Sequence, residues 1–191
     1  MRVLNEGGRY RRSAIALHWT MAALIFVLLP IGWTMTAFED DPRSKALVAI
    51  HMSLGLVALG LVVTRIVWRS RCGAPAFSVT QPAWQRFAAG ASHLLLYVLM
   101  LGVPVIGLLA ASFGTDGVVF FGWSVPRLTL VEDAMKESLF SLHGVLAATL
   151  AALAALHVAA ALKHLLVDRD GVFERMSIRH RSVEREQTWP I

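Results

Sequence analysis

The chain has 191 residues, of which 56% are hydrophobic and only 16% charged, whereas a soluble domain carries about 25% charged residues. Water is therefore not its main solvent. The net charge of +5 and the pI near 10.1 read as membrane topology and not as nucleic-acid binding, and the single cysteine, Cys72, excludes an internal disulfide framework and a cofactor tethered through paired thiols.

The charges bracket four apolar stretches. Arg12 to Glu39, Lys45 to Arg65, Arg86 to Asp116 and Glu137 to Lys163 enclose charge-free runs of 26, 19, 29 and 25 residues, each near or above the roughly 20 residues that a spanning helix needs. In lipid a helix satisfies its backbone hydrogen bonds within one segment. The expected helices run over 13–38, 46–69, 83–113 and 138–166, joined by connections at 39–45, 70–82 and 114–137. Arg9, Arg11 and Arg12 precede the first in the manner of a signal peptide, but its apolar run far exceeds an h-region of about 7–15 residues, so an uncleaved anchor is expected. No internal repeat or low-complexity tract is visible. The expected fold is all-α, an integral-membrane four-helix bundle over residues 1–178 followed by a polar tail over 179–191.

Orientation follows from Lys and Arg, which stay on the cytoplasmic side. The N-terminus, the second connection and the C-terminal segment hold 14, and the other two connections hold 4. Both termini are thus expected in the cytoplasm. Trp19, Trp68 and Trp84 then fall near the inner boundary, and Trp33 and Trp123 near the outer one.

Five of seven histidines, His18, His51, His93, His143 and His157, lie inside the charge-free runs. Intramembrane ionisable residues are functional candidates by default. Counted from the closing charge, His18, His93 and His157 lie six or seven residues from the inner side, and His51 and His143 six from the outer side, giving two layers. His143 and His157 are fourteen residues apart on one helix, about 21 Å of rise and nearly the same face. An imidazole facing another across a bundle is the geometry of axial ligation to a porphyrin iron, so two layers imply two haems. The outer pair is His51 with His143. In the inner layer His157 has either His18 or His93 as a partner, and spacing does not choose. A simple metal site would want carboxylate, thiol or a third clustered ring, and a proton relay would want carboxylates; the spans contain no Asp, Glu or Cys. Gly32, fourteen residues after His18, and Ser53 and Gly55 beside His51 suit either a flat macrocycle or ordinary helix packing. Pro30 and Pro104 are candidate kinks. Arg65, Arg69, Arg86 and Lys163 suit either propionate pairing at the inner layer or a topogenic role.

These residues carry a recognisable pattern: Ile15 to Trp19, Ile50 to Gly55, His93 to Tyr97 followed by Pro104 to Leu108, His143-Gly144, Leu156 to His164, and Asp170 to Met176. Over roughly residues 8–178 the chain resembles the prokaryotic cytochrome b561 family, in its short stand-alone dihaem branch typified by superoxide oxidase. The resemblance implies that His18 and His157 ligate a cytoplasmic-side haem b and that His51 and His143 ligate a periplasmic-side one, in the inner membrane of a bacterium. It also implies ubiquinone reduction near the inner haem, with His164 the candidate for a hydrogen bond to a quinone carbonyl, and His93 a weaker candidate at the quinone or a propionate.

The implied activity is electron transfer from superoxide, or another periplasmic donor, to quinone. The rival reading is a membrane anchor subunit that relays electrons between a dehydrogenase or hydrogenase and the quinone pool. The outer connections carry four positive and seven negative residues, a net of −3, so attraction of an anion must be local, with Arg127 and Lys136 the candidates; a cationic protein donor would suit the acidic surface. The apolar stretch Val118 to Trp123 suits either a cover over the outer haem or an ordinary loop core.

Overall fold

The computed structural model describes residues 9–38, 41, 43–73, 75, 82–126 and 130–178. The tail expected at 179–191, with His180, and the outer-connection residues Glu39, Asp40 and Arg127 lie outside them.

Four long helices form as the charge spacing requires: α1 over Arg12–Ala37, α2 over Ser44–Cys72, α3 over Ala83–Phe113 and α4 over Asp133–Lys163. The bounds match the expectation for α3. Helix α2 runs three residues further, through Arg69 and Arg71, and α4 starts five residues earlier, at Asp133. The cause is common to both: charges delimit the apolar run but do not stop a helix, and Asp133 in a first turn and Arg71 in a last turn favour the helix dipole. What stops α2 is Gly73, whose φ of +71° and N–H bond to the carbonyl of Arg69 make a glycine terminus. Pro30 and Pro104 sit inside α1 and α3 without interrupting either.

The helices pack as chain neighbours, α1 on α2, α2 on α3 and α3 on α4. Their shared core is small: Ser53, Val62, Ala110 and Ser112 are buried to 2% exposure or less. Small interfacial residues are how spans approach closely when lipid removes any hydrophobic drive between them. The large apolar side chains point outward instead. Phe26, Val145 and Leu156 are each more than 60% exposed, and no more than 17% of the apolar window of any helix is buried within the chain. Each such side chain would gain about 1.5–3 kcal/mol by leaving water. Four helices are thus long and apolar enough to cross a membrane, and they need lipid as their solvent.

The connection between α3 and α4 holds an element that the sequence reading did not resolve. Strands β1 (Val118–Phe120) and β2 (Trp123–Val125) form an antiparallel hairpin in which Val118 pairs with Val125 and Phe120 with Trp123. The turn residues Phe121 and Gly122 both have positive φ, 45° and 87°, as a two-residue primed turn requires. The strand β1 packs against α2 and α3.

After α4 the chain makes one π-helical turn, His164–Asp168, ended by Arg169 in the left-handed region, and then a 3₁₀ turn, Phe173–Met176. That last turn is fastened to the start of α1. The Trp19 indole donates to the carbonyl of Met176 at 2.8 Å, Arg9 donates to that of Ser177 at 2.8 Å, and the Tyr10 amide to that of Arg175 at 3.3 Å. Trp19→Phe removes one neutral hydrogen bond and keeps an aromatic ring, so it should cost about 0.5–1.5 kcal/mol, read as a small drop in the thermal midpoint of the detergent-solubilised protein.

Candidate functional site: two layers of imidazoles

In the outer layer His51 of α2 meets His143 of α4, with ring centroids 6.1 Å apart and planes at 83°. The His143 Nδ1 lies 2.9 Å from the carbonyl of Val103 on α3. A carbonyl only accepts, so Nδ1 carries the hydrogen and Nε2 keeps its lone pair. This is the arrangement that metal-bound histidines use to fix ring and tautomer. Two glycines let the rings in. A Cβ on Gly107 would sit 2.8 Å from the His143 Nδ1, and one on Gly32 would sit 3.2 Å from the His51 Cε1. The His51 Nδ1 is buried with no hydrogen-bond partner among the described residues.

The inner layer gathers three rings. The centroid of His157 on α4 is 6.3 Å from that of His18 on α1 and 5.5 Å from that of His93 on α3, so both candidates reach it. The guanidinium of Arg65 on α2 completes the layer. It donates to the Tyr97 hydroxyl at 3.0 Å and to the carbonyl of Ala14 at 3.3 Å, and its third nitrogen stands 3.5 Å from the His18 Nδ1. Arg65 and Arg69 both lie 5.9 Å from the centre of the Tyr97 ring. Beside them the Trp68 Nε1 is buried without a partner among the described residues and borders a small cavity with Tyr10, Leu17, Arg65, Arg69 and Tyr97. The sequence offered Arg65 and Arg69 without choosing their role; the structure sets them at the inner histidines. Tyr97 was quoted only as part of a motif, and nothing in its spacing marked it as the acceptor of Arg65.

Lys163 is not turned to that layer. Its ammonium pairs with Asp168, at 2.7 Å from Oδ1. His164 begins the π-helical turn, and its Nδ1 lies 2.8 Å from an oxygen of Asp170 and 3.3 Å from one of Asp168. The two carboxylates fix Nδ1 as the donor and leave Nε2 open. On the outer side the stem of Lys136 lies along Gly114.

The donor set suits a tetrapyrrole. Two imidazoles meet in the outer layer and three in the inner one, with no carboxylate or thiol inside the charge-free runs; a facing pair supplies two ligands and leaves a square of four to the group it holds. Metal–imidazole bonds of about 2 Å put the ring centres of two opposed ligands about 6 Å apart, the spacing found in both layers. The glycine cradles agree with a metal-binding role.

Comparison with known proteins gives a consistent result. A family model described as prokaryotic cytochrome b561 matches residues 9–177. Cytochrome b561 homolog 2 of Escherichia coli (strain K12) is 29% identical over 178 residues, covering 92% of this chain and 95% of that protein. A probable superoxide oxidase, CybB, of Yersinia pestis is 27% identical over 176 residues, covering 91% and 98%. Cytochrome b562 of Cereibacter sphaeroides is 30% identical over 172 residues, covering 87% and 94%.

The glycine cradles are testable by stability. Gly107→Ala forces the His143 ring or α3 to move and should cost about 1–3 kcal/mol as an overpacked contact, whereas Gly32→Ala, with 0.4 Å more room, should cost less. Equal thermal midpoints for wild type and Gly107→Ala in detergent would contradict the close approach.

Proposed function

Because the chain belongs to the prokaryotic cytochrome b561 family of haem-binding membrane electron-transfer proteins, we propose that it is a superoxide:quinone oxidoreductase with two b-type haems. The observation that carries this reading is the pair of imidazole contacts, 6.1 and 6.3 Å between ring centres, fourteen residues apart on α4. In this reading His51 and His143 hold the outer haem, and His18 and His157 hold the inner one. The outer side is the periplasm and both termini lie in the cytoplasm, as the 14 to 4 bias of Lys and Arg favours.

His18 is preferred to His93 on two grounds. Its spacing to His157 repeats that of the outer pair, and His93 stands on α3 where the outer layer has Gly107, fourteen residues along, the residue that flanks the α4 ring and does not ligate. Between these imidazole pairs, haem would supply one-electron transfer. Arg65 and Arg69 offer positive charge to the carboxylates of the inner group. When both ring nitrogens are protonated, His164 keeps Nδ1–H on Asp170 and donates Nε2–H to a carbonyl oxygen of ubiquinone at the inner mouth. The balance is two superoxide anions oxidised to two molecules of O2, their two electrons, with two protons taken up from water at the inner mouth, converting one quinone to quinol. Lys136, whose stem lies along Gly114, is one cation on the outer side that would draw the anion in. The Yersinia relative, a probable superoxide oxidase, supports the choice of superoxide as donor.

Two measurements test this. A haem count on purified protein should give two noncovalent b haems per chain. His51→Ala or His143→Ala should remove one, His18→Ala the other, and His93→Ala neither; loss of a haem in His93→Ala with retention in His18→Ala would reverse the inner assignment. Superoxide added to the purified chain with ubiquinone should yield quinol with no further subunit, whereas an inert but fully haem-loaded protein would favour the anchor-subunit reading.

The quinone contact has its own test. His164→Ala should slow quinone reduction about 100-fold while leaving haem content unchanged, if Nε2 serves as hydrogen-bond donor and proton carrier to the ring oxygen. Asp170→Asn, which only loosens the orientation of the imidazole, should cost about 10-fold. An unchanged rate in His164→Ala would remove the residue from the quinone site.

A further inference from the structure

We propose that the hairpin 118–125 is a lipid-interface anchor, its Phe120, Phe121 and Trp123 rings seated at the headgroup level, and that Ser53 tethers it there beside the outer histidine layer. The hairpin is polarised. Its base is packed, with Val118 only 6% exposed, and its tip is not: Phe121 is 61% and Trp123 80% exposed. The ten residues 117–126, between Asp116 and Arg127, carry no charge. The tip rings border a shallow recess of about 400 Å³ with Ser124, Val125 and Pro126. Three clustered exposed aromatics on an uncharged loop do not suit water, and aromatic rings with a polar edge favour the membrane boundary.

The occupant follows from position. The hairpin leaves the end of α3, and its first strand lies on α2 and α3, so the tip continues the apolar surface of the spans. On α2, Ile50 next to His51 is 47% exposed and belongs to the same surface. A three-ring tip is far smaller than the roughly 800 Å² per partner of a stable protein interface, which favours lipid over a second copy of the chain. With no charge in the tip, neutral phosphatidylcholine suffices.

The turn gives an independent reason. A primed turn asks for Asn or Gly where φ is positive, and Phe121 takes that conformation at +45° without the freedom of glycine. Phe at this position adds nothing to the turn and one ring to the surface. The strained residue is held by its own backbone: the Phe121 amide donates to the Ser53 Oγ at 2.9 Å, and that hydroxyl donates to the carbonyl of Ala49 at 2.7 Å. Ser53 is 2% exposed and two residues from His51. Lipid holds the tip outside and Ser53 holds it inside.

The test uses the full chain in phosphatidylcholine vesicles. In a Cys72→Ser background, Trp123→Cys and, separately, Phe120→Cys carry a nitroxide, and power-saturation paramagnetic resonance compares collisions with O2, which concentrates in lipid, and with a water-soluble nickel chelate. The expected result is several-fold more relaxation by O2 than by nickel at both positions. Dominant nickel relaxation would place the tip in water, and weak relaxation by both would place it under protein; either overturns the anchor. Adding Ser53→Ala, which removes the acceptor of the Phe121 amide, should broaden the label's motion and raise nickel access at 123. No change in Ser53→Ala, with helical circular dichroism intact, would overturn the tether.

Discussion

An imidazole placed among hydrocarbon has to find a partner for each ring nitrogen, and this demand organises the bundle. Leaving such a polar atom unmatched costs kilocalories, while the surrounding side chains are Leu, Val, Ala and Phe, which offer nothing. His143 meets the demand at Nδ1 through the carbonyl of Val103. At the other nitrogen there is only the facing ring of His51 and whatever lies between them. In the proposed haem-bound form, two side chains and a metal bond on each side would set the separation of the helices. The small residues that line their contacts, Ala110, Ala111, Ser112 and Ser53, let α2, α3 and α4 close up everywhere else.

The two layers are built on one repeat that runs through all four helices. Fourteen residues separate His18 from Gly32 on α1, His51 from Arg65 on α2, His93 from Gly107 on α3, and His143 from His157 on α4. Fourteen residues return a helix to nearly the same face about 21 Å along its axis. Each helix thus contributes one position to each layer. In the outer layer α1 and α3 give the glycines that touch the rings of α2 and α4. In the inner layer those places hold imidazoles, and α2 gives the guanidinium of Arg65. The outer layer is slim, and the inner one is crowded and carries the guanidinium of Arg65.

Much of this was legible in the sequence because the signals are one-dimensional. Charge spacing fixes where spans lie, so the helices of 13–38 and 83–113 were found within a residue of their observed bounds. Histidine depth is a count along a helix, so the two layers could be read before any contact was seen. The misses have equally physical causes. Gly107 stands at the same spacing from His93 as Gly32 does from His18, but a glycine in an apolar run signals nothing until the atom it admits is known. The hairpin has strands of three residues, too short for an alternating pattern, and its turn carries Phe where Gly or Asn would have announced it. The π-helical turn at His164 follows Lys163 without a break in the helix and has no marker; its partner Asp170 lies six residues on.

The fourth helix ties the layers to one another. Along it His143, Leu150, His157 and His164 follow at intervals of seven, each turned only about 20° from the last. Leu150, midway between the two layers, is the buried residue of that helix at 5% exposure. An apolar side chain there excludes water from the space between the histidine pairs, so charge on one layer is felt at the other through a medium of low dielectric. His164 ends the same line where the helix widens into a π turn, which carries its ring toward Asp170 and the aqueous boundary. One face of one helix therefore orders the outer pair, a dry septum, the inner pair and a water-side imidazole with an open nitrogen. A span interrupted by a deletion of one residue between any two of these would swing the remainder by about 100° and break the line, and this is why the constraint on α4 is one of register more than of hydrophobicity.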